Sequence, residues 1–420
     1  MRVMWLTQLQ LPAVTGESAM TAAGWLEGLR WALEQYEPDV ELGICSWGHS
    51  FHEPFTRDNA TYFALNAHRP RTRGERMVEA WRCRLVPPEA VTDAASVTRR
   101  FRPDIVHVHG TEHPLGLAAL RLPFPAVATL QGIASAIERF VLEPVPDSEI
   151  LRGLATRNFL RGDSYLHWSV RMKRAAATER TVVGGLHHFM GQTSWDRNVL
   201  RVLNPSAKYY TCPRALQPDY YRARWRGISG AGTTIFCTSG PAPYKGIETL
   251  LEGFALLRDA GYKGIRLRVA GRIPGSILWP MVERIVRRRH LEGLVTWLGR
   301  LAAAELAAEL AQASMFVLPS HIENESNALI EAMLIGLPCV AAAVGGVPSV
   351  LCDGEDGLLY NDSDPFSLAG SLACLLDEPA LAVSLAAGAY DRARTGWSAE
   401  VAAHRVKAVY EEIVAAERAQ

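Results

Sequence analysis

The sequence carries no surplus of charge of either sign: 44 lysines and arginines face 44 aspartates and glutamates across 420 residues. That balance argues against a general nucleic-acid binder, so no nucleic-acid partner is expected. Cysteine is sparse and unpaired. The seven, Cys45, Cys83, Cys212, Cys237, Cys339, Cys352 and Cys374, form no CxxC pair, which implies neither a disulfide framework nor a zinc ribbon and suits a reducing cytoplasm. No basic lead with a long apolar core opens the chain, so no signal peptide is expected. The longest uncharged stretch, Ala332 to Cys352, is broken by Gly336, Pro338, Gly345, Gly346 and Pro348, which a bilayer-spanning helix would not carry together. What is present is ordinary globular composition, 48% hydrophobic and 21% charged, over a length that suits two or three domains.

Short apolar runs of β type alternate with segments of helical period, the pattern of parallel sheets covered on both faces. In the first half the expected strands are Val3 to Thr7, Asp104 to His109 and Ala126 to Leu130, with a helix from Trp25 to Tyr36. In the second they are Thr233 to Thr238, Ile265 to Ala270, Leu294 to Leu298, Met315 to Pro319 and Cys339 to Ala343. The stretch Asn204 to Gly230, rich in Pro and Tyr, separates the halves. The expected domains are therefore 1–210, 211–397 and a helix over 398–420 that packs back across the junction.

Ligands of open parallel sheets bind beyond the carboxyl ends of the strands, so the loops there carry the candidate chemistry. After Met315 to Pro319, Ser326 is a candidate N-cap that would aim the amides of Asn327, Ala328 and Leu329 at a phosphate. Glu323 in that loop and Glu331 inside the helix would serve separate hydroxyl groups of one ligand; as surface and loop residues they would look the same in sequence. After Thr233 to Thr238, Lys245 stands at a helix start, where a cation opposes the helix dipole and calls for an anionic guest unless solvent covers it. Gly345 and Gly346 permit close backbone approach or a tight turn. In the first half, His107 and His109 share a strand face, and Thr111 and Glu112 follow. His107 reads as buried and hydrogen-bonded rather than metal-bound. Asp362 and Asp364 spell DxD, yet Pro365 makes Asp364 a helix N-cap. The strand Val3 to Thr7 is followed by no GxGxxG, which counts against a dinucleotide site.

These residues together resemble the retaining glycosyltransferases of family 4. The most specific element is Glu323, seven residues, then Glu331-Ala332-Met333, with Gly336-Leu337-Pro338 beyond. Tyr244-Lys245-Gly246, Val344-Gly345-Gly346-Val347-Pro348, Gly24-Trp25 and Pro103 through Gly110 stand in the family's order and spacing. The resemblance implies an α/β chain of GT-B fold, two facing Rossmann-like domains with parallel sheets. It implies transfer of a sugar from a nucleoside-diphosphate donor to a hydroxyl acceptor, with retained configuration and neither cofactor nor metal. Lys245 would neutralise the diphosphate and Glu323 contact the transferred sugar, with His109 also in the catalytic set. Glu331 would hold the ribose, and Gly240, Ser326, Asn327, Ala328, Gly24, Gly345 and Gly346 would complete the donor site. Gln131, Thr111 and Glu112 would lie on the acceptor side. A nucleotide-sugar epimerase or hydrolase, or a binding pseudoenzyme, could use the same donor residues. Three departures stand out: Gly240 occupies a place where many members have Arg, Gln131 one where many have His, and Ser349 the place of the usual Glu after the Gly-Gly-x-Pro turn. Nine arginines from Arg69 to Arg102, and six more with Lys173 from Arg152 to Arg180, either draw the protein to an anionic membrane face or reflect arginine used in place of scarce lysine.

Overall fold

A computed structural model describes residues 1–15, 24–47, 53–65, 72–154, 156–227, 232–271 and 273–419. Arg69 and Arg71 of the first arginine run lie outside the described residues. The chain divides into two compact units: Met1–Arg139, Arg152–Ala215 and Ser398–Gln420 form one, Phe140–Leu151 and Leu216–Trp397 the other.

The first unit is built on an eight-stranded sheet of β1 (Arg2–Thr7), β2 (Glu41–Trp47), β3 (Phe55–Arg57), β4 (Ala60–Leu65), β5 (Ile105–His109), β6 (Ala126–Thr129), β7 (His188–Gly191) and β8 (Lys208–Thr211), in the order β3-β4-β2-β1-β5-β6-β7-β8. Every pairing is parallel except β3 with β4. β1 and β5 pair along their length and are buried from Val3 to Leu6 and throughout β5, which explains why they read as unbroken apolar runs. The second unit carries six parallel strands, β9 (Thr233–Thr238), β10 (Ile265–Ala270), β11 (Val295–Gly299), β12 (Met315–Leu318), β13 (Cys339–Ala342) and β14 (Leu358–Tyr360), ordered β11-β10-β9-β12-β13-β14. Strand order reverses direction at β9 and β12, so the loops after those two strands lie at the switch point where such sheets bind ligands.

Helices form where the apolar period is 3.6. In Ile247–Asp259 the residues Ile247, Leu250, Leu251, Phe254 and Leu257 are all buried, and each large side chain so placed contributes roughly 1.5–3 kcal/mol. The helix ends at Ala260, and Gly261 takes φ +102° beyond it. The last helix, Ala399–Arg418, is capped by Ser398 and belongs to the first unit, where Tyr410 bonds His107 and Lys407 reaches Glu37 and Asp39. Among the described residues no single helix is long and apolar enough to cross a membrane.

Candidate functional site

At the switch point of the second unit, three loops are sewn together through their backbones. Gly246 takes φ +67°, and a Cβ there would fall 1.8 Å from the Pro319 carbonyl oxygen. The His321 amide donates to the Tyr244 carbonyl at 2.9 Å. Gly345 takes φ +51°, with its would-be Cβ 2.0 Å from the Glu323 carbonyl oxygen, to which the Gly346 amide donates at 3.0 Å. The close approach these glycines permit is thus made first to the loop that carries Glu323.

Lys245 and Glu323 meet there. Lys245 Nζ lies 2.5 Å from Glu323 Oε1, which also accepts from the Ser320 hydroxyl at 2.8 Å. Burial pulls the Lys245 ammonium down, but Glu323 and the Tyr244 ring outweigh it, and the group stays more basic than a free lysine. An anionic partner for the lysine at this helix start is therefore supplied from within the protein by Glu323. Gly240 has nothing within 4 Å of the position a Cβ would occupy. The fold would accept an arginine there, and its lack is not forced by packing.

Ser326 caps Asn327–Ile335 as expected, its hydroxyl accepting from the Leu329 amide. That bond engages the Leu329 amide, and Asn327 and Ala328, both half-buried, stand ahead of it in the first turn. Glu331 lies on the same helix, half-buried. Burial pushes its carboxyl up to about 7, against the opposing pull of the Tyr220 phenol. Asp364 caps Pro365–Asp377 through the amides of Phe366 and Ser367.

The structure adds one residue that sequence reasoning passed over. His321 is buried, with Nε2 2.5 Å from Glu248 Oε1 and Nδ1 2.7 Å from Asp362 Oδ1. Burial alone would lower its basicity, but the two carboxylates raise it to about 9. The imidazolium fastens the loop of Glu323 to the start of Ile247–Asp259 and to the turn after β14. Glu248 and Asp362 are 73 and 41 positions away, so no local spacing announces the trio. Asp362 is thereby engaged with His321 and Asp364 with its helix. Among the described residues no group of three His, Cys, Asp or Glu side chains is placed to hold a metal ion.

In the first unit, His107 is buried as expected, Nδ1 2.6 Å from the Tyr410 hydroxyl and Nε2 2.6 Å from Thr129 Oγ1. His109 sits on the same face, ring centroids 3.8 Å apart, boxed by Trp5 and Trp25. Among the described residues neither His109 nitrogen has a hydrogen-bond partner, and burial, His107 and Arg214 hold the ring neutral, its basicity well below the usual value. Thr111 is spent on structure: its hydroxyl donates to Glu179 Oε1 at 2.8 Å, and Glu179 also gathers the amides of Ala134 and Ser135. Glu112 is raised to about 8 by burial with Glu179 nearby, and its Oε2 has no partner among the described residues. Gln131 follows β6, half-buried and hydrogen-bonded or otherwise engaged. Gly24 is buried as the first residue of Gly24–Tyr36. His109 and Glu112 thus share one end of the sheet, and Lys245, Glu323, Ser326, Asn327, Ala328, Gly345 and Gly346 gather at the switch point of the other unit.

Known proteins resemble the chain at two levels. In sequence, it is 30% identical over 178 residues to a D-inositol 3-phosphate glycosyltransferase of Corynebacterium glutamicum (strain R), a match covering 42% of each chain, less than half of that relative's length. In structure, it superposes on sucrose-phosphate synthase of Thermosynechococcus elongatus with TM-score 0.75 at 17% identity, covering 99% of both chains. It also superposes on Anabaena Alr3699/HepE, solved in complex with UDP-glucose, with TM-score 0.66 at 14% identity over 98% of this chain and 99% of that one. Residues 232–378, which hold Lys245, Glu323 and Glu331, match the family described as Glycosyl transferases group 1. Part of the second unit is thus similar to that family, and the two Rossmann-like units share the GT-B fold of the solved structures.

Proposed function

We propose that this protein is a glycosyltransferase of the hexosyl-transferring, retaining type, using a nucleoside-diphosphate sugar and a hydroxyl acceptor on a glycan or a lipid-linked carrier. The observation that carries the reading is the Lys245–Glu323 pair at 2.5 Å beside the Ser326-capped helix start, inside the matched domain. Its three parts suit three parts of one donor: a cation and helix amides for the diphosphate, a carboxylate for the sugar, and Glu331 for the ribose.

In the reaction the bond between the anomeric carbon and the phosphate oxygen breaks, and the nucleoside diphosphate leaves with both electrons. Lys245 and the amides at Asn327 and Ala328 neutralise the charge that grows there. The acceptor oxygen bonds the anomeric carbon on the same face, and its proton passes to the departing phosphate oxygen. No side-chain base is needed, which accommodates Gln131 where many family members have His. His109, neutral and with both nitrogens unpartnered among the described residues, offers hydrogen bonds rather than a proton sink. Charge is balanced by these groups without a metal or other cofactor, and the reaction takes place in the cytoplasm. Incubation with a panel of nucleotide sugars and mass-spectrometric detection of products tests the reading: a new glycoside supports transfer, an epimerised or hydrolysed sugar reassigns the reaction, and no turnover with donor bound leaves a binding protein.

A further inference from the structure

The first unit contains a helix without an inside. Arg73–Arg82 buries none of its residues, yet both ends are closed locally, by the Thr72–Glu75 capping box and by Cys83 in the left-handed conformation. Among the described residues it is held by the segment from Phe159 to Arg174. Trp81 Nε1 donates to the Leu160 carbonyl at 2.9 Å, and its ring packs edge-on against Phe159 and His167. Gly162, at φ +71°, passes so close that a Cβ would lie 2.8 Å from the Ala80 backbone. The Arg174 guanidinium donates to the Arg82 carbonyl. A helix fixed this firmly leaves Met77 46%, Val78 49% and Leu160 63% exposed.

Around these apolar tips stands a ring of positive charge. A groove of about 590 Å³ is lined by Arg73, Arg76, Met77, Arg157, Leu160 and Arg161. Among the described residues no carboxylate pairs with Arg73, Arg157 or Arg161, while Glu75 serves the capping box and Glu79 pairs with Arg82. The chain as a whole is neutral, so this face concentrates charge of one sign beside exposed apolar tips. Guanidinium forks match phosphate oxygens bidentately, and Met, Val and Leu tips flanking them are the composition of an interfacial helix lying at the headgroup boundary.

We propose that the face made by Arg73–Arg82 and Arg157–Arg161 docks the protein on an anionic phospholipid bilayer. The arginines take the lipid phosphodiesters, and Met77, Val78 and Leu160 enter the acyl boundary. A polyanionic polymer would use the arginines and leave the apolar tips in water, so the tips decide in favour of lipid. This inference goes beyond the donor reading and stands without it.

The test is flotation of the full-length protein with vesicles of phosphatidylcholine alone or mixed with phosphatidylglycerol. The wild type is expected to float with the mixed vesicles only, and less as salt is raised. Arg157→Glu with Arg161→Glu should lower partitioning at least tenfold, and Met77→Ser with Leu160→Ser should also lower it severalfold. These positions are exposed, so the fold is expected to survive, and thermal unfolding verifies it. Calorimetric titration with UDP runs beside each variant, so a failed donor reading shows as absent nucleotide binding in the wild type and does not touch the vesicle result. Absence of wild-type flotation, indifference to phosphatidylglycerol, or insensitivity to the arginine pair overturns the proposal. So does full binding by the Met77→Ser, Leu160→Ser variant, which would mark a site for soluble polyanions instead.

Discussion

At the switch point of the second unit Lys245 begins the cycle already paired with Glu323, while the His321 imidazolium is held by Glu248 and Asp362. A pair at 2.5 Å resists solvent, so a diphosphate that binds must share the ammonium with the carboxylate, and the full charge is needed only when the leaving group departs. Lys245→Ala is therefore expected to lower kcat by about two to three decades with a smaller change in donor affinity. Single-turnover kinetics at saturating donor separate the two; a raised KM with unchanged kcat would reduce Lys245 to a ground-state tether. Glu331 is the other residue whose protonation matters. Its carboxyl titrates near 7 when folded against an ordinary 4.5, so the folded state holds the proton more tightly. Stability falls as pH rises from about 4.5 and the loss is complete above about 7. Ribose hydroxyls need the ionised form, so donor affinity should rise with pH through about 7 and be at least tenfold weaker in Glu331→Ala. Glu331→Gln should flatten the pH profile and raise the melting temperature above pH 7. A wild-type affinity that is flat across this range removes Glu331 from the donor site.

At the scale of elements, the loop after β12 is positioned by contacts from both sides. Gly246 and Gly345 let two neighbouring loops reach its backbone, and the Glu248–His321–Asp362 trio locks it from beneath. The trio carries a pH signature. His321 is raised from 6.5 to about 9 on folding, so its contribution is present in full below 6.5 and lost as pH rises through about 9. His321→Gln should be less stable than wild type below 6.5 and nearly equal to it above 9, in denaturant titrations at the two extremes. Equal stability at both would mean that the imidazolium contributes nothing beyond its hydrogen bonds. The alternation of strands and helices was most legible where a strand is buried on both faces, as in β5 and β12. β2 was not, since Gly43 breaks its apolar run at the point where Phe101 packs against it, 2.9 Å from a would-be Cβ. β7 and β8, of four residues each, are too short to show a period.

For the whole molecule, two parallel sheets supply two sets of carboxyl-end loops, and the reaction proposed here draws charge compensation from lysine and helix amides alone. Turnover is accordingly expected to survive excess EDTA. Loss of activity restored by Mg or Mn alone would show that an ion shares the leaving-group charge, and would return Asp362 and Asp364 to consideration despite their bonds to His321 and to a helix start.

The local chain was sufficient to determine the features that depend on neighbours in sequence. Ser326 and Asp364 cap helices because a hydroxyl or carboxylate two or three residues ahead of an amide is within its reach. Ile247–Asp259 buries the face its period marks, and Glu323 and Glu331 are separated by a loop and a helical turn whatever surrounds them. Tertiary structure alone decided what those residues meet. It placed Glu323 on Lys245 across 78 positions and His321 between two distant carboxylates. It also closed Thr111 onto Glu179 and left the Arg73–Arg82 helix with nothing to bury. Electrostatic pairing and burial act through space, and separation along the chain does not encode the spatial distance on which both depend.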